Sequence, residues 1–245
     1  MAQYDEIAKE YFERREKKDR FDFNRDLEVP AMIEMIGKVK GKKILDIGCG
    51  FGDHLHGLSK QNPLKIIGFD LSQNMIDIAN SFKLPNSQFY VHDMKKKLKE
   101  KENTFDIVFS SLAIHYIKPL ELDKLFSEVN RVLKRGGEFL FSTGHPIFSL
   151  RKSRIGESMK NQENGFNIHM HYFNEGPHQV ELGSTIGKCN VYNFTFETLI
   201  KTSLKNNFEI IDYKDVKPID SAKGFSKYDF ANRMPTFIIF KLKKK

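Results

Sequence analysis

Three aspartates and a run of glycines could do chemistry together. Asp46, Asp70 and Asp93 each end or follow a short apolar run, in KILDI, KIIGFD and QFYVHD. Directly after the first run, GCGFGD supplies Gly48, Gly50 and Gly52. Glycine admits positive φ and lets backbone approach a ligand closely. A helix starting after such a turn adds partial positive charge. The dinucleotide fingerprint is G-x-G-x-x-G, but here its third position is Asp53. Asp46, placed before the turn, would repel a pyrophosphate and would suit a ligand carrying an ammonium and a sulfonium. Both departures argue against a nicotinamide cofactor. Asp70 stands about twenty residues past the turn, where a ribose-binding acid belongs. Asp93 could accept from the exocyclic amine of adenine. Each acid alone could be a helix cap or a surface charge. Three at successive strand ends beside one glycine turn argue against those plainer readings.

Two histidines follow strand-like runs and are candidates for proton transfer or acceptor contact: His115 in SSLAIHYI and His145 in STGHPIF. A general base is needed only where the acceptor must lose a proton. For His145 the choice is between catalysis or substrate contact and loop packing. For His115 it is between pocket lining and a base. His169 and His171 would share one face of a strand and, with His145 or His178, could hold a metal. No cysteine or carboxylate cluster completes such a set, so no metal is expected. The plainer reading of this stretch is a lid walled by Phe148, Phe166, Tyr172, Phe173 and Tyr192.

The elements that must position these groups read as an α/β chain. Residues 3–18 and 26–38 have helical spacing, the second through Val29, Met32, Ile33 and Ile36. Strand-like runs are Lys43 to Ile47, Lys65 to Phe69, Gln88 to Val91, Phe105 to Phe109 and Glu138 to Ser142. Helical stretches at 53–60, 73–82 and 119–134 lie between them, the second capped by Ser72. This alternation predicts a parallel sheet with helices on both faces. Residues 144–192 break the pattern and read as an insertion after the fifth strand. A helix at 195–206, capped by Thr195, and two strands, Phe208 to Val216 and Thr236 to Leu242, close the chain.

Composition sets outer bounds. The chain has 245 residues, 40% hydrophobic, with two cysteines, Cys49 and Cys189, and a formal net charge of +8. It carries no apolar run near the roughly 20 residues of a membrane helix. The charged N-terminus lacks the apolar core of a secretion signal, and two cysteines make no disulfide framework, so a cytoplasmic protein with no membrane partner is expected. The basic excess gathers in KKKLKEK at 95–101 and KLKKK at 241–245. Without interleaved stacking aromatics these runs read as solvated faces.

At the level of motifs the chain resembles the class I S-adenosylmethionine-dependent methyltransferases of the small-molecule type. ILDIGCGFGDH resembles the family's first motif, IIGFDLSQNMIDIA the second, FYVHDM the third, FDIVFSSLAIHYI the fourth and LFSEVNRVLKRGGEFLFST the fifth. The resemblance implies a seven-stranded, mostly parallel Rossmann-like sheet with the last strand antiparallel. It implies one methyltransferase domain over 1–245: an N-terminal helical cap (1–40), a cofactor-binding half (41–143), a substrate lid (144–192) and a closing part (193–245). It also implies roles by position. Gly48, Cys49 and Gly50 would contact the methionine part of S-adenosylmethionine, with Asp46 nearby. Asp70 would take the ribose hydroxyls, and Leu71 and Met75 would flank the adenine. Asp93 and Met94 would read its edge. Ser110, Ser111, Leu112 and His115 would line the floor near the sulfur, and Tyr11 would lie over the cofactor. SSLA stands where enzymes methylating planar base amines carry a Pro-Pro-aromatic signature, so DNA adenine methylation is not expected. The reaction implied is in-line methyl transfer to a small molecule, yielding S-adenosylhomocysteine. An RNA methyltransferase and a non-catalytic S-adenosylmethionine-binding protein are the alternatives.

Overall fold

The computed structural model describes residues 4–149, 171–183, 187–225 and 227–245. Seven strands form one sheet in the order β3-β2-β1-β4-β5-β9-β8. They are β1 (Lys43–Ile47), β2 (Lys65–Asp70), β3 (Ser87–Val91), β4 (Phe105–Ser110), β5 (Leu133–Gly144), β8 (Phe208–Asp215) and β9 (Phe237–Lys244). Strands β1 to β5 run parallel. Strand β9 is antiparallel to both β5 and β8. The expected sheet, with its antiparallel last strand, is the observed one. Chain order reverses between β1 and β4, which opens the crevice where ligands of such sheets bind.

The helices are α1 (Ala8–Glu16), α2 (Val29–Ile36), α3 (Asp53–Ser59), α4 (Gln73–Ser81), α5 (Pro119–Val132), α6 (Pro146–Ser149), α7 (Phe196–Lys205) and α8 (Tyr228–Arg233). Ser72 caps α4 by accepting from Met75 N, and Thr195 caps α7 by accepting from Thr198 N. Pro119 opens α5, and Glu121 reaches back to Lys118 N. Helix α5 stops at Val132, before the anticipated residue 134, and β5 begins at once. Gly136, at φ +72°, lets the backbone turn there. The second N-terminal helix starts as a π-helical turn at Asn24–Glu28 before α2.

Central strands are buried on both faces and so read as continuous apolar runs. Successive residues alternate between two core layers. Ile44, Ile66, Ile107 and Leu140 pack toward α2, α3 and α4. Leu45, Val108, Phe139 and Phe141 pack toward α5 and α7.

The insertion holds an unforeseen hairpin, β6 (Pro177–Gly183) with β7 (Gly187–Tyr192). Its signal was present: alternating residues on both arms, with glycines at the turn end of each. Strand β7 packs against a 3-10 turn, Ile114–Tyr116, that follows β4. Of the expected lid residues, Phe166 and His169 lie outside the described residues.

The second layer turns on Phe139, fully buried among the rings of Phe126, Phe141 and Phe208 at 5.1–5.8 Å. Phe139→Ala is expected to cost about 3–5 kcal/mol. Urea unfolding would read this as a lowered midpoint at unchanged slope.

Candidate cofactor and acceptor site

The glycine turn is built by close approach. Gly48, Gly50 and Gly52 all have positive φ. The Gly48 and Cys49 amides both donate to Phe69 O, at 2.8 and 2.9 Å, which seats the turn on the end of β2. A Cβ at Gly48 would stand 2.5 Å from the Ala113 Cβ and 3.3 Å from the Met94 methyl. The ends of β1, β3 and β4 thus converge on one residue that has no room for a side chain.

Asp70 braces this turn. One carboxylate oxygen accepts from Gly50 N and the other from Ser72 N, each at 2.9 Å. The two oxygens together offer about four acceptor positions, more than the backbone amides use. Burial pushes the Asp70 carboxyl up, against three backbone amides that pull it down. Asp93, past β3, accepts from Lys95 N at 3.0 Å.

Asp46 differs from both. It is 1% exposed, and neither carboxylate oxygen has a hydrogen-bond partner among the described residues. Burial pushes its pKa up to about 8; nearby Asp70 and Glu28 add to the rise and the His54 imidazolium opposes it. Buried polar atoms in native proteins are nearly always paired. An orphaned acid beside a glycine cradle fits a cationic ligand group.

Below these lies a buried polar hub. Glu28 is fully buried and held by three side chains: His54 Nε2 at 2.8 Å, Ser111 Oγ at 2.7 Å and Ser142 Oγ at 2.6 Å. Burial alone would raise the Glu28 carboxyl, but His54 and the two hydroxyls outweigh it and hold it below the carboxylate range. The same contact outweighs burial at His54 and raises its pKa. The pair is therefore carboxylate and imidazolium. Ser142 Oγ also accepts from Leu112 N at 2.9 Å, and Leu112 sits at φ +46°.

The N-terminal segment covers the mouth. Tyr4, Tyr11 and Tyr116 meet edge-on, with Tyr4 and Tyr116 hydroxyls 2.6 Å apart. Tyr11 and Phe12 reach Phe51 in the glycine turn. Asp5 accepts from Ser72 Oγ at 2.7 Å, on the ribose side. Arg15, buried at the foot of α1, pairs with both Asp22 and Asp53.

Comparison with known proteins agrees with this geometry. Residues 44–137 match the methyltransferase domain family. A solved S-adenosylmethionine-dependent methyltransferase of Listeria monocytogenes superposes with a TM-score of 0.74 at 27% identity, covering 89% of this chain and 96% of that one. Residues 44–137 carry the methyltransferase domain, on a Rossmann-like fold shared with S-adenosylmethionine-dependent methyltransferases. S-adenosylmethionine is its cofactor. An uncharacterized protein of Haemophilus influenzae is 28% identical over 90% of this chain and 88% of its own length. A malonyl-[acyl-carrier protein] O-methyltransferase of Marinomonas is 32% identical over 56% of this chain. The chain spans about half of that enzyme's length, 51%.

Within this methyltransferase the anticipated residues separate into groups. Asp46, Gly48, Gly50, Asp70 and Met94 surround the turn, and Ser111, Leu112 and His115 form the segment after β4. Leu71 projects outward at 51% exposure, free to lie against a base. Met75 is instead buried with Ala8 and Phe51, under the N-terminal cover. Ser110 is fully buried and donates to Ile47 O at 2.9 Å. The Cys49 side chain is buried, with its thiol pushed up by burial, so only its backbone faces the turn's chemistry.

His145, named for catalysis or substrate contact against loop packing, is engaged on both sides of its ring. Its Nδ1 accepts from Ile147 N at 3.2 Å, so the proton sits on Nε2, 3.2 Å from Asp215 Oδ1. Its ring lies edge-on to Phe196. Both nitrogens thus have partners within the chain. His115 remains on the 3-10 turn beside Tyr116. Burial, with His178 nearby on β6, lowers its pKa to about 4, so it is neutral at pH 7. Among the described residues no three His, Cys, Asp or Glu gather to hold a metal.

Glu28, His54, Arg15 and Ser142 were not anticipated. Spacing held a clue for Glu28: it precedes Ala31, Met32 and Met35 by three, four and seven residues, on the buried face.

The unpaired Asp46 makes two measurable demands. In the unfolded chain it titrates near 3.8, in the fold near 8. Stability should therefore fall as pH rises from about 4 to 8, where the fold holds a proton that the unfolded chain has lost. Asp46→Asn should flatten that slope in thermal unfolding. A cationic ligand needs the ionised acid, so wild-type affinity for S-adenosylmethionine should rise roughly tenfold per pH unit from 6 toward 8. The Asn variant should bind at least tenfold more weakly at pH 8, with little pH dependence, in titration calorimetry.

Proposed function

We propose that this methyltransferase acts on a small-molecule acceptor, held between the segment after β4 and the β6–β7 hairpin. The observation carrying this reading is enclosure: β7 packs on the Ile114–Tyr116 turn, and Tyr4 of the N-terminal segment meets both Tyr116 and Cys189 of β7. Such a space favours a compact acceptor over a duplex.

In this reading Asp46 would take the ammonium of the cofactor's methionine part. The Gly48, Cys49 and Gly50 backbone would cradle that part, and Asp70 would accept from the ribose hydroxyls while still bracing the turn. Leu71 would flank the adenine and Asp93 and Met94 would meet its edge. Tyr11 and Tyr4 would cover the mouth and keep water out. The bound cofactor supplies an electrophilic methyl on a sulfonium, so the protein's task is chiefly alignment. Neutral His115 can accept a hydrogen bond from the acceptor's O–H or N–H and orient its lone pair. With its pKa near 4 it withdraws a proton weakly at pH 7.

Lys95, Lys96 and Lys97 lie exposed directly after Asp93, and this favours a second reading, an RNA acceptor. The two separate by salt. Phosphate binding weakens steeply with ionic strength, while small-molecule turnover does not.

Titration calorimetry with S-adenosylmethionine and S-adenosylhomocysteine tests the core of the proposal. Wild type should bind both, and Asp70→Ala should lose at least tenfold in each. Absence of heat with either nucleoside in wild type would overturn the reading. Undiminished binding by Asp70→Ala would remove the ribose role.

A further inference from the structure

Glu28 stands outside the cofactor cradle, yet it joins four parts of the chain. It lies in the π-helical turn of the N-terminal segment. Its Oε2 meets His54 of α3. Its Oε1 accepts from Ser111, just past β4, and from Ser142 of β5. The Ser142 hydroxyl has one proton, given to Glu28, and its lone pair accepts from Leu112 N. Leu112 is one of few non-glycine residues with positive φ, a conformation costly to a branched side chain and kept where surroundings enforce it. The same backbone stretch leads into Ala113, whose Cβ packs on Gly48, and into His115 and Tyr116.

We propose that Glu28 is a positioning residue that makes the N-terminal cover and the acceptor floor one unit. Through Ser111 it anchors the residue after β4. Through Ser142 it fixes the left-handed backbone at Leu112, and so the placement of His115 and Tyr116. The N-terminal segment that carries Glu28 also carries Tyr4 and Tyr11 over the mouth. Seating the cover on bound cofactor therefore sets the floor, and a displaced cover releases it. The inference rests on the proposed function only in taking residues 111–116 as the acceptor floor. Position rather than charge carries it. A glutamine at 28 keeps one oxygen for both hydroxyls and turns its N–H toward a neutral His54.

Hydrogen exchange read by mass spectrometry on the intact chain, with and without S-adenosylhomocysteine, tests this without knowledge of the acceptor. In wild type the nucleoside should slow exchange in residues 8–36 and 111–117 together. In Ser142→Ala the Leu112 amide should exchange at least tenfold faster. Nucleoside should then protect 8–36 but no longer 111–117, with affinity within about threefold of wild type. Glu28→Gln should behave as wild type and Glu28→Leu as Ser142→Ala. Ser203→Ala serves as a control for general softening, because it removes another fully buried hydroxyl, bonded to Leu199 O on α7. Coupled protection surviving in Ser142→Ala overturns the proposal. So does uncoupling by Ser203→Ala, or a Glu28→Gln that matches Glu28→Leu. If wild type gives no binding heat with either nucleoside, the functional reading fails separately. The unliganded comparison then still decides: in Glu28→Leu, Leu112 exchange and tryptic cleavage at 14–20 must rise together.

Discussion

Gly48 has no room for a Cβ, and that constraint organises the rest. Three strand ends and the Met94 methyl close on a single backbone position. Such proximity is attainable only where β1 sits between β2 and β4, both parallel to it. It makes the chain turn sharply, so Gly48 and Cys49 spend their amides on Phe69 and Gly50 donates to Asp70. The acid expected to bind ribose is thus also the clamp on the turn. A carboxylate can serve both ends because each oxygen accepts more than one hydrogen bond.

The buried charges follow a division of labour. Glu28 with His54 and Arg15 with its two aspartates are paired within the chain, as burial demands. Asp46 alone among the buried acids of the site is left unpaired. In the free protein it escapes most of that cost by holding a proton, which its raised pKa allows. A buried acid without an internal partner leaves room for a cationic group to pair with it. Pairing Asp46 internally would gain stability and lose the attraction.

What could be read from the sequence was local. The strands showed as short apolar runs, and the three acids stood at their ends with no intervening structure to infer. The helix caps at Ser72 and Thr195 were legible for the same reason. What escaped depended on distant pairs. Glu28 meets Ser142 across 114 residues, and nothing near either predicts the other. The contact of His145 with Asp215 was equally out of reach, because it comes from a strand seventy residues further along. Position at a strand end was right for His145. The hairpin was missed because its alternation sits inside a segment without a long period.

His115 shows what the hairpin contributes. Beside β4 alone, the imidazole would border solvent and titrate near its ordinary value. With β6 and β7 laid against the turn, burial and His178 hold it neutral far below physiological pH. A neutral ring cannot repel the cofactor's sulfonium, whereas an imidazolium close to it would. By keeping the histidine uncharged, the hairpin removes one positive charge from the segment that follows β4.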